Sequence, residues 1–386
     1  MTLIMKSSVS ITSDLLPIAQ QALQTCRGDH LVASFFVEQQ PEWLHQPWYL
    51  IAVGKAAGAM ASAAVTAAGD QLQQGILVQK EGSQAWFSHP RVVQYWSGHP
   101  VPNEASLVAG DALLSFVEQL PVGARVLALV SGGASAMVEV LPKGWSLADL
   151  QQKTNAWLAE GGSIHDINRQ RKHYSRIKGG KVLRYFPEHV SLLSLFLSDV
   201  EGDDLSTLAS GLFFGYLDKG STQYHLLANN ATLVSQCAQY LPQAQIMKDF
   251  VHTAVYDFAQ SIVMAAKKLG CYIWGGEPVV TLAPSVGAGG RMQHLSLLVA
   301  WLMQDAQISW QLLALASDGS DGPTSDAGAL VNQHTIGNAQ ALGWDIEACL
   351  NQFNSGALLA DVGALVTTGS TGTNVNDVVI LCVEDN

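Results

Sequence analysis

Short apolar runs alternate along this chain with helix-compatible segments, and several of the runs lead directly into a turn. Residues 48–53 form one such run, which is followed by Gly54-Lys55 and then by an alanine-rich, helix-compatible segment. Residues 125–130 and 190–197 are further runs, and a serine with glycine or aspartate follows each of them. Strands that alternate with helices in this way indicate an α/β architecture with mainly parallel sheets.

The second half of the chain continues the alternation. At about 150 residues per domain, the 386 residues suggest two domains, which we place at 1–245 and 246–386. We predict helices over 11–40, 56–68, 256–269 and 293–303, and a capping box at Ser146 to Asp149 that begins another helix. We predict strands over 48–53, 75–78, 125–130, 190–197, 272–274, 279–282, 312–316, 364–367 and 378–383.

Charged residues are scarce, since Lys, Arg, Asp and Glu make up 13% of the chain and the formal net charge is −12. A composition that is 48% hydrophobic excludes intrinsic disorder, and the acidic balance argues against nucleic-acid binding. Residues 1–10 lack the pattern of a signal peptide, and no apolar run approaches the roughly 18 residues that span a bilayer. We therefore expect a cytoplasmic protein whose five scattered cysteines are reduced and buried.

Seven of the 20 lysines and arginines fall within one short segment. They are Arg169, Arg171, Lys172, Arg176, Lys178, Lys181 and Arg184. Lysine binds phosphate as a point charge and arginine binds it through a planar fork. The segment is therefore a candidate anion site, and the alternative is a solvated helix face with scattered ion pairs.

Aspartates follow two of the predicted strands at the points where these strands end. Asp199 follows the strand at 190–197, and Asp318 follows the strand at 312–316. Ligands of open α/β sheets bind at the carboxyl ends of the strands, and Mg²⁺ is commonly held there by one or two carboxylates together with substrate phosphates. Both residues are candidate magnesium ligands, although aspartate is also common in turns and at helix N-caps.

Two glycine-rich turns and three single side chains complete the candidate site. The turns Ser131-Gly-Gly-Ala-Ser135 and Gly369-Ser-Thr-Gly-Thr-Asn374 offer backbone N–H groups and hydroxyls to an anion. Lys55 and Arg291 each stand just before a predicted helix, and His99 lies in a proline-rich loop where it can contact a substrate or fix the loop. Together these features fit phosphoryl transfer, which requires positioning and charge neutralisation.

Eleven short motifs occur along the chain. They are Gly54-Lys-Ala-Ala57, Gly98-His-Pro-Val-Pro102, Ser131-Gly-Gly-Ala-Ser-Ala136, Ile167-Asn168, Arg171-Lys-His173, Ser175-Arg-Ile-Lys-Gly-Gly180, Ser198-Asp-Val-Glu-Gly-Asp-Asp204, Gly275-Gly-Glu277, Gly289-Gly-Arg291, Asp318-Gly-Ser-Asp-Gly-Pro323 and Thr371-Gly-Thr-Asn-Val-Asn-Asp377. The series resembles the glycerate 2-kinases whose C-terminal part is called the MOFRL domain, some of which carry the older label hydroxypyruvate reductase. The resemblance extends from about residue 12 to residue 383.

The resemblance implies an N-terminal Rossmann-like parallel sheet, a C-terminal mixed-sheet MOFRL domain and an active site in the cleft between the two. It implies phosphorylation of D-glycerate at the 2-hydroxyl with ATP and Mg²⁺, and the family's proposed catalytic cations match Lys55 and Arg291. We expect Asp199 to accept the proton of the hydroxyl group or to bind Mg²⁺. We expect Asp318 to bind Mg²⁺ as well. The predicted nucleotide contacts are Ser131, Gly132, Gly133, Ser135, Lys178, Thr371, Gly372 and Asn374; the predicted substrate contacts are His99, Arg171 and Lys172. Glycerate and nucleotide are the expected partners, together with a second copy of the chain in a homodimer.

The chain departs from the family pattern beside Arg291. Where the family usually has GGRNQE, this chain has Met292 and His294 in place of Asn and Glu. These changes leave open the alternative that the chain is a degenerate member of the family, which binds a phosphorylated metabolite without turnover. A hydroxypyruvate reductase is the other alternative, but it needs a nicotinamide site, and the dinucleotide fingerprint is absent from the chain.

Overall fold

The computed structural model describes residues 14–41, 45–159, 172–280 and 287–385, which form two compact units. The parallel-sheet unit contains the described residues of Cys26–Asn229 together with the short segment Gly372–Val375. The mixed-sheet unit contains those of Met1–Thr25, Asn230–Thr371 and Asn376–Asn386. The domain boundary predicted between residues 245 and 246 stays a prediction.

Six strands form the sheet of the parallel-sheet unit. They are β1 (Trp48–Val53), β2 (Leu72–Lys80), β3 (Val92–Ser97), β4 (Arg125–Val130), β5 (Val190–Leu197) and β6 (Gly220–Ala228). Their spatial order is β3-β2-β1-β4-β5-β6, and all these pairings are parallel. This is the order of doubly wound nucleotide-binding folds, in which ligands bind where the strand order reverses, here between β1 and β4. The prediction of a Rossmann-like parallel sheet is confirmed.

The described helices of this unit are α2 (Gly28–Gln39), α3 (Ala57–Ala68), α4 (Glu104–Glu118), α5 (Ala134–Met137) and α6 (Leu147–Ala159). Every residue of β1 and β4 is buried except Tyr49 and Arg125, which are partly exposed. Continuous apolar runs of this kind are typical of parallel strands that helices cover on both faces. Leu113 of α4 packs in the same core cluster as Ile51 and Val126. Burying one such side chain contributes about 1.5–3 kcal/mol, so the central strands are held firmly in place.

The mixed-sheet unit is built on a second six-stranded sheet. Its elements are α1 (Leu15–Thr25), α7 (Asn230–Tyr240), β7 (Gln245–Ile246), α8 (Val255–Ala265), β8 (Gly270–Gly276), α9 (Arg291–Leu302), β9 (Ser309–Ala316), β10 (Gly328–Asn332), α10 (Thr335–Ala341), α11 (Ile346–Asn351), α12 (Ser355–Asp361), β11 (Leu365–Val366) and β12 (Asp377–Glu384). The strand order is β11-β10-β9-β12-β8-β7, and the strands pair antiparallel except for β7 with β8. Asp377, the first residue of β12, pairs with Gly276 at the end of β8. This register brings Asp377 close to Glu277, the next residue along the chain.

The helix predicted over residues 11–40 is two helices where the structure describes it. α1 ends at Thr25, and α2 begins at Gly28 after an extended Arg27. The Gly28 amide donates to the Gly372 carbonyl at 2.9 Å, and a Cβ on Gly28 would lie 2.5 Å from Cγ of Met60. Both helices bury apolar residues, so the apolar pattern continues across the break and gives no sign of it.

Two of the five cysteines form a disulfide. Cys271 on β8 and Cys382 on β12 are directly opposite each other in the sheet register and are bonded, while Cys26, Cys237 and Cys349 are free and buried. The reduced state that the sequence predicts is therefore wrong for this pair. The two residues are 111 positions apart, and only the pairing of β8 with β12 brings them together.

Candidate functional site

The turns that follow β1 and β4 are hydrogen-bonded to each other. The amide of Lys55 donates to the carbonyl of Gly132 at 3.0 Å, and the amide of Ala56 donates to Oγ of Ser131 at 3.0 Å. Asp199 follows β5, which lies beside β4 in the sheet. The carboxyl ends of neighbouring parallel strands thus carry the predicted residues Lys55, Ser131 and Asp199 at the point where the strand order reverses.

Asp199 and Asn374 meet at Gly132. Nδ2 of Asn374 donates to Oδ2 of Asp199 at 2.8 Å. A Cβ on Gly132 would lie 1.7 Å from that oxygen and 2.0 Å from Nδ2, so no larger residue fits at this position. Asn374 belongs to the segment Gly372–Val375, which joins the parallel-sheet unit although it comes from the far end of the chain.

His99 and Lys55 both approach Gly133. Gly133 has φ +83°, in the left-handed region that favours glycine. A Cβ on it would lie 2.9 Å from Cδ2 of His99 and 3.1 Å from Cγ of Lys55. The structure therefore groups six predicted site residues, which we call the switch-point cluster: Lys55, His99, Gly132, Gly133, Asp199 and Asn374.

Other predicted nucleotide contacts already have partners in the fold. The buried Ser131 hydroxyl accepts from Ala56, and the Ser135 and Ser210 hydroxyls are 2.6 Å apart. In the mixed-sheet unit, the hydroxyl of Thr371 donates to the carbonyl of Ser317. These contacts keep the two glycine-rich turns in shape, and nucleotide binding by the turns stays a prediction.

The described lysines of the basic segment bind groups of the protein itself. Lys178 and Glu139 form an ion pair in which each side chain is 1% exposed. Nζ of Lys172 donates to the Ser206 carbonyl at 2.6 Å, and Nζ of Lys181 donates to three backbone carbonyls, those of Lys172, His173 and Ser175. Arg169 and Arg171 lie outside the described residues. In this geometry the positive charge stabilises the fold, and the anion contacts of Lys172 and Lys178 stay predictions.

Arg291, the first residue of α9, is held by two carboxylates. Nη1 contacts Oε1 of Glu277, and Nη2 is 3.3 Å from Oδ2 of Asp377. Burial raises the pKa of Asp377 well above its usual range, although Arg291 pulls it down. We call these three residues the Arg291 cluster. Sequence reasoning missed the role of both carboxylates, because only the β8–β12 pairing brings them to Arg291.

Asp321 is a further buried acid beside this cluster. Its carboxylate accepts from the amides of Met292 at 3.1 Å and Gln293 at 2.8 Å, and so caps the N-terminus of α9. Burial raises the pKa of Asp321 to about 6, against the opposing pull of these amides and of Arg291.

The pKa of Asp321 predicts a pH-dependent stability. The pKa is about 6 in the folded protein, against an ordinary value of 3.8 for an aspartate, so the folded state holds the proton more tightly. The resulting stabilisation is complete below the unfolded-state pKa and is lost as pH rises through the folded-state pKa, by up to about 1.4 kcal/mol per pH unit. For Asp321→Asn we expect the free energy of unfolding, measured in urea between about pH 4 and pH 7, to fall less steeply than in the wild type.

Asp345→Asn is the matched control for this prediction. Asp345 caps α11 by accepting from the amide of Ala348 at 3.0 Å, but it is exposed. Because Asn is as good an N-cap as Asp, this variant should change stability little and keep the wild-type slope between about pH 5 and pH 7. Equal slopes for Asp321→Asn and the wild type would contradict the assignment.

The two departures from the family pattern have different surroundings. Met292 is fully buried in the core of the mixed-sheet unit. His294 stacks on Phe353 with ring centroids 4.5 Å apart, and its Nδ1 lies 3.1 Å from Oγ of Ser355. Burial lowers the pKa of His294 to about 4, so this side chain adds no charge beside Arg291 near neutral pH.

The aspartates predicted to bind magnesium lie in different units. Oδ2 of Asp199 accepts from Asn374 in the parallel-sheet unit, and Oδ1 of Asp318 accepts from the amide of Ser320 at 3.0 Å in the mixed-sheet unit. Among the described residues, no group of three or more His, Cys, Asp or Glu side chains is arranged to hold a metal ion. Mg²⁺ that arrives with nucleotide phosphates needs only one or two carboxylates, so the chemistry of either aspartate fits, and both assignments stay predictions.

Two family models together match most of the chain. Residues 14–232 match the family described as "Domain of unknown function (DUF4147)", and residues 270–377 match the MOFRL family. The D-glycerate 2-kinase of Thermotoga maritima is 33% identical over 378 residues, which cover 86% of this chain and 89% of that protein. The glycerate 2-kinase of Pyrococcus horikoshii is 31% identical over 390 residues, 87% of each chain.

A solved structure has the same fold over nearly the whole length. The crystal structure of a glycerate kinase from Thermotoga maritima matches with a TM-score of 0.81 and 30% sequence identity. The match covers 95% of this chain and 98% of that one. The likeness therefore includes both sheets.

Proposed function

Since this chain belongs to the glycerate 2-kinase family that joins a DUF4147 domain to a MOFRL domain, we propose that it transfers the γ-phosphoryl group of ATP to the 2-hydroxyl of D-glycerate. The switch-point cluster is the observation that carries the proposal. It places a cation, Lys55, and a carboxylate, Asp199, in one network of strand-end turns. Those are the two kinds of group that phosphoryl transfer to an alcohol requires.

Each side chain of the cluster has a role in this reaction. The ammonium group of Lys55 would neutralise the charge that develops on the transferring phosphoryl oxygens. Asp199 would accept the proton of the 2-hydroxyl while the hydroxyl oxygen bonds to phosphorus and the bond to ADP breaks. His99, which approaches Gly133 beside Lys55, would bind the substrate. The products are 2-phosphoglycerate and ADP.

The nucleotide would be held by the glycine-rich turns at residues 131–135 and 371–373. Mg²⁺ bound with the nucleotide supplies charge neutralisation at the phosphates, and Asp199 or Asp318 would hold it. Arg291 would contribute as the second catalytic cation. Because Glu277 and Asp377 fix its guanidinium, its contribution depends on placement as much as on net charge.

A direct assay tests the proposal. Purified protein is incubated with ATP, Mg²⁺ and D-glycerate, and enolase is added to convert any 2-phosphoglycerate into phosphoenolpyruvate, which is measured by absorbance. We expect phosphoenolpyruvate to form with enolase alone. If it forms only when phosphoglycerate mutase is also present, the phosphorylated position is the 3-hydroxyl and the proposal is wrong in that detail.

The same preparation tests the two alternatives. Oxidation of NADH with hydroxypyruvate would indicate a reductase, although the turn after β1 has Lys55 in place of the glycine-rich dinucleotide fingerprint. Binding of nucleotide or phosphoglycerate without product would indicate a sensor. Either result would overturn the kinase proposal.

None of the helices that the structure describes is long and apolar enough to cross a membrane. The cytoplasmic location and the homodimer stay predictions from the sequence.

A further inference from the structure

We propose that Asn374 is a positioning residue, which orients the carboxylate of Asp199 for phosphoryl transfer and does not itself contact the nucleotide. The inference rests on the proposed function, because it assigns Asp199 the same task. Nδ2 of Asn374 donates to Oδ2 of Asp199 at 2.8 Å, and Asn374 is 5% exposed. Its amide is therefore directed at the carboxylate from inside the protein.

The space around this hydrogen bond is tightly restricted. The Cα of Gly132 lies so close that a Cβ there would be 1.7 Å from the accepting oxygen and 2.0 Å from the donating nitrogen. A carboxylate on a turn has several side-chain rotamers, and a donor fixed on one side with backbone on the other selects one of them. The hydrogen bond thus sets the direction in which Asp199 presents its carboxylate.

The segment that carries Asn374 is itself held in place. The carbonyl of Gly372 accepts from the amide of Gly28 at 2.9 Å. A Cβ on Gly372 would lie 2.6 Å from the indole ring of Trp86, and the guanidinium of Arg27 lies over that ring at 5.3 Å from its centroid. Asp29 pairs with Arg27 and completes this support. A chain segment from the far end of the sequence is therefore fixed beside Asp199 by α2 and the loop after β2.

Two substitutions at Asn374 separate a positioning role from a packing role. Asn374→Asp has nearly the same shape but replaces the donor by a second carboxylate, whereas Asn374→Ala removes the donor and leaves a small void. For positioning we expect kcat to fall by about 10-fold or more in Asn374→Ala and further in Asn374→Asp. The KM values for ATP and D-glycerate and the nucleotide Kd from Trp fluorescence should change by less than about threefold in Asn374→Ala.

Asn229→Ala is the matched control for the lost hydrogen bond. Nδ2 of Asn229 also donates to an aspartate of the same unit, Asp203, but neither residue belongs to the switch-point cluster. This variant should keep kcat within about twofold of the wild type.

A second pair of variants tests whether the packing that holds the segment around Asn374 in place matters for catalysis. Gly372 and Gly123 both have a φ of +75°, but only at Gly372 would a Cβ meet another group within 4 Å. Gly372→Ala should therefore lower kcat as Asn374→Ala does. Gly123→Ala has the same kind of backbone strain without the clash against Trp86, and it should not lower kcat.

The results that overturn the proposal are distinct from those that overturn the kinase assignment. If the wild type makes no 2-phosphoglycerate, the proposed function fails. If the wild type is active and Asn374→Asp is as active as the wild type, or more active than Asn374→Ala, the residue acts through shape and the positioning role is wrong. A loss confined to the ATP KM and nucleotide Kd would make Asn374 a nucleotide contact instead. Melting temperatures of all variants identify any loss of kcat that comes from unfolding.

Discussion

Lys178→Met is expected to lower the free energy of unfolding by about 3–5 kcal/mol, because it leaves the buried carboxylate of Glu139 without its partner. Both side chains of this ion pair are 1% exposed. The other carboxylate oxygen, Oε1 of Glu139, accepts from the amide of Val140 at 3.1 Å, so the group is anchored and cannot turn toward water. Urea denaturation of the variant and the wild type near neutral pH measures the difference.

Two further variants make this expectation specific to burial. Lys219→Met breaks the ion pair between Lys219 and Glu188, whose side chains are 63% and 56% exposed. It should lower the free energy of unfolding by less than about 1 kcal/mol. The double variant Glu139→Gln, Lys178→Met keeps an acceptor for Val140 and removes the buried charge, so it should recover most of the loss. Equal losses for the buried and the exposed pair would contradict the argument.

The double variant also tests the predicted contact between Lys178 and nucleotide. If Lys178 acts only inside the fold, the folded double variant should have a wild-type KM for ATP. A rise of about tenfold or more would place the ammonium group at the nucleotide.

Local sequence patterns predicted the central strands of the parallel sheet to the residue. β1, β4 and β5 are predominantly apolar runs bounded by turn residues, and burial on both faces is what produces such runs. The capping box was equally predictable: the Ser146 amide donates to Oδ2 of Asp149 at 2.7 Å, and the Asp149 amide lies 3.3 Å from Oγ of Ser146. Both signals depend only on residues close in sequence.

The edge strands β3 and β6 were missed for the opposite reason. β6 contains only exposed and partly exposed residues before its last residue, and its first half is polar rather than apolar. β3 has the same mixed character, with only Val92 and Ser97 buried. Edge strands have one neighbour and little burial, so the sequence is weakly constrained there.

In the candidate site, too, some residues were predictable from local sequence and others were not. Lys55 and Asp199 were predictable because residues that follow parallel strands gather at one edge of the sheet. The contact between Asn374 and Asp199 joins residues 175 positions apart, and the contact between Arg291 and Asp377 joins residues 86 apart. No local pattern encodes such contacts, so only the folded chain shows them.

Lys55→Ala is expected to lower kcat by about 10²–10³-fold. Within the six residues of the switch-point cluster, Lys55 carries the one permanent positive charge, and its backbone is fixed by the hydrogen bond to Gly132. A preorganised charge that acts on the transition state affects kcat more than KM. The measurement is the enolase-coupled rate at saturating ATP and D-glycerate. Lys55→Arg should not restore the rate, because a planar fork on a longer side chain cannot take the place of a compact ammonium group.

Lys143→Ala provides the control, because Lys143 is an exposed lysine of the same unit that lies in a loop. It should keep the wild-type rate, and all variants should keep the wild-type melting temperature to within a few degrees. A Lys55→Ala enzyme with a near-normal kcat would remove Lys55 from the chemistry. In that case the charge would have to come from Arg291, and Arg291→Met would then show the larger loss. The two variants measured side by side therefore decide which of the two cations acts on the transferring group.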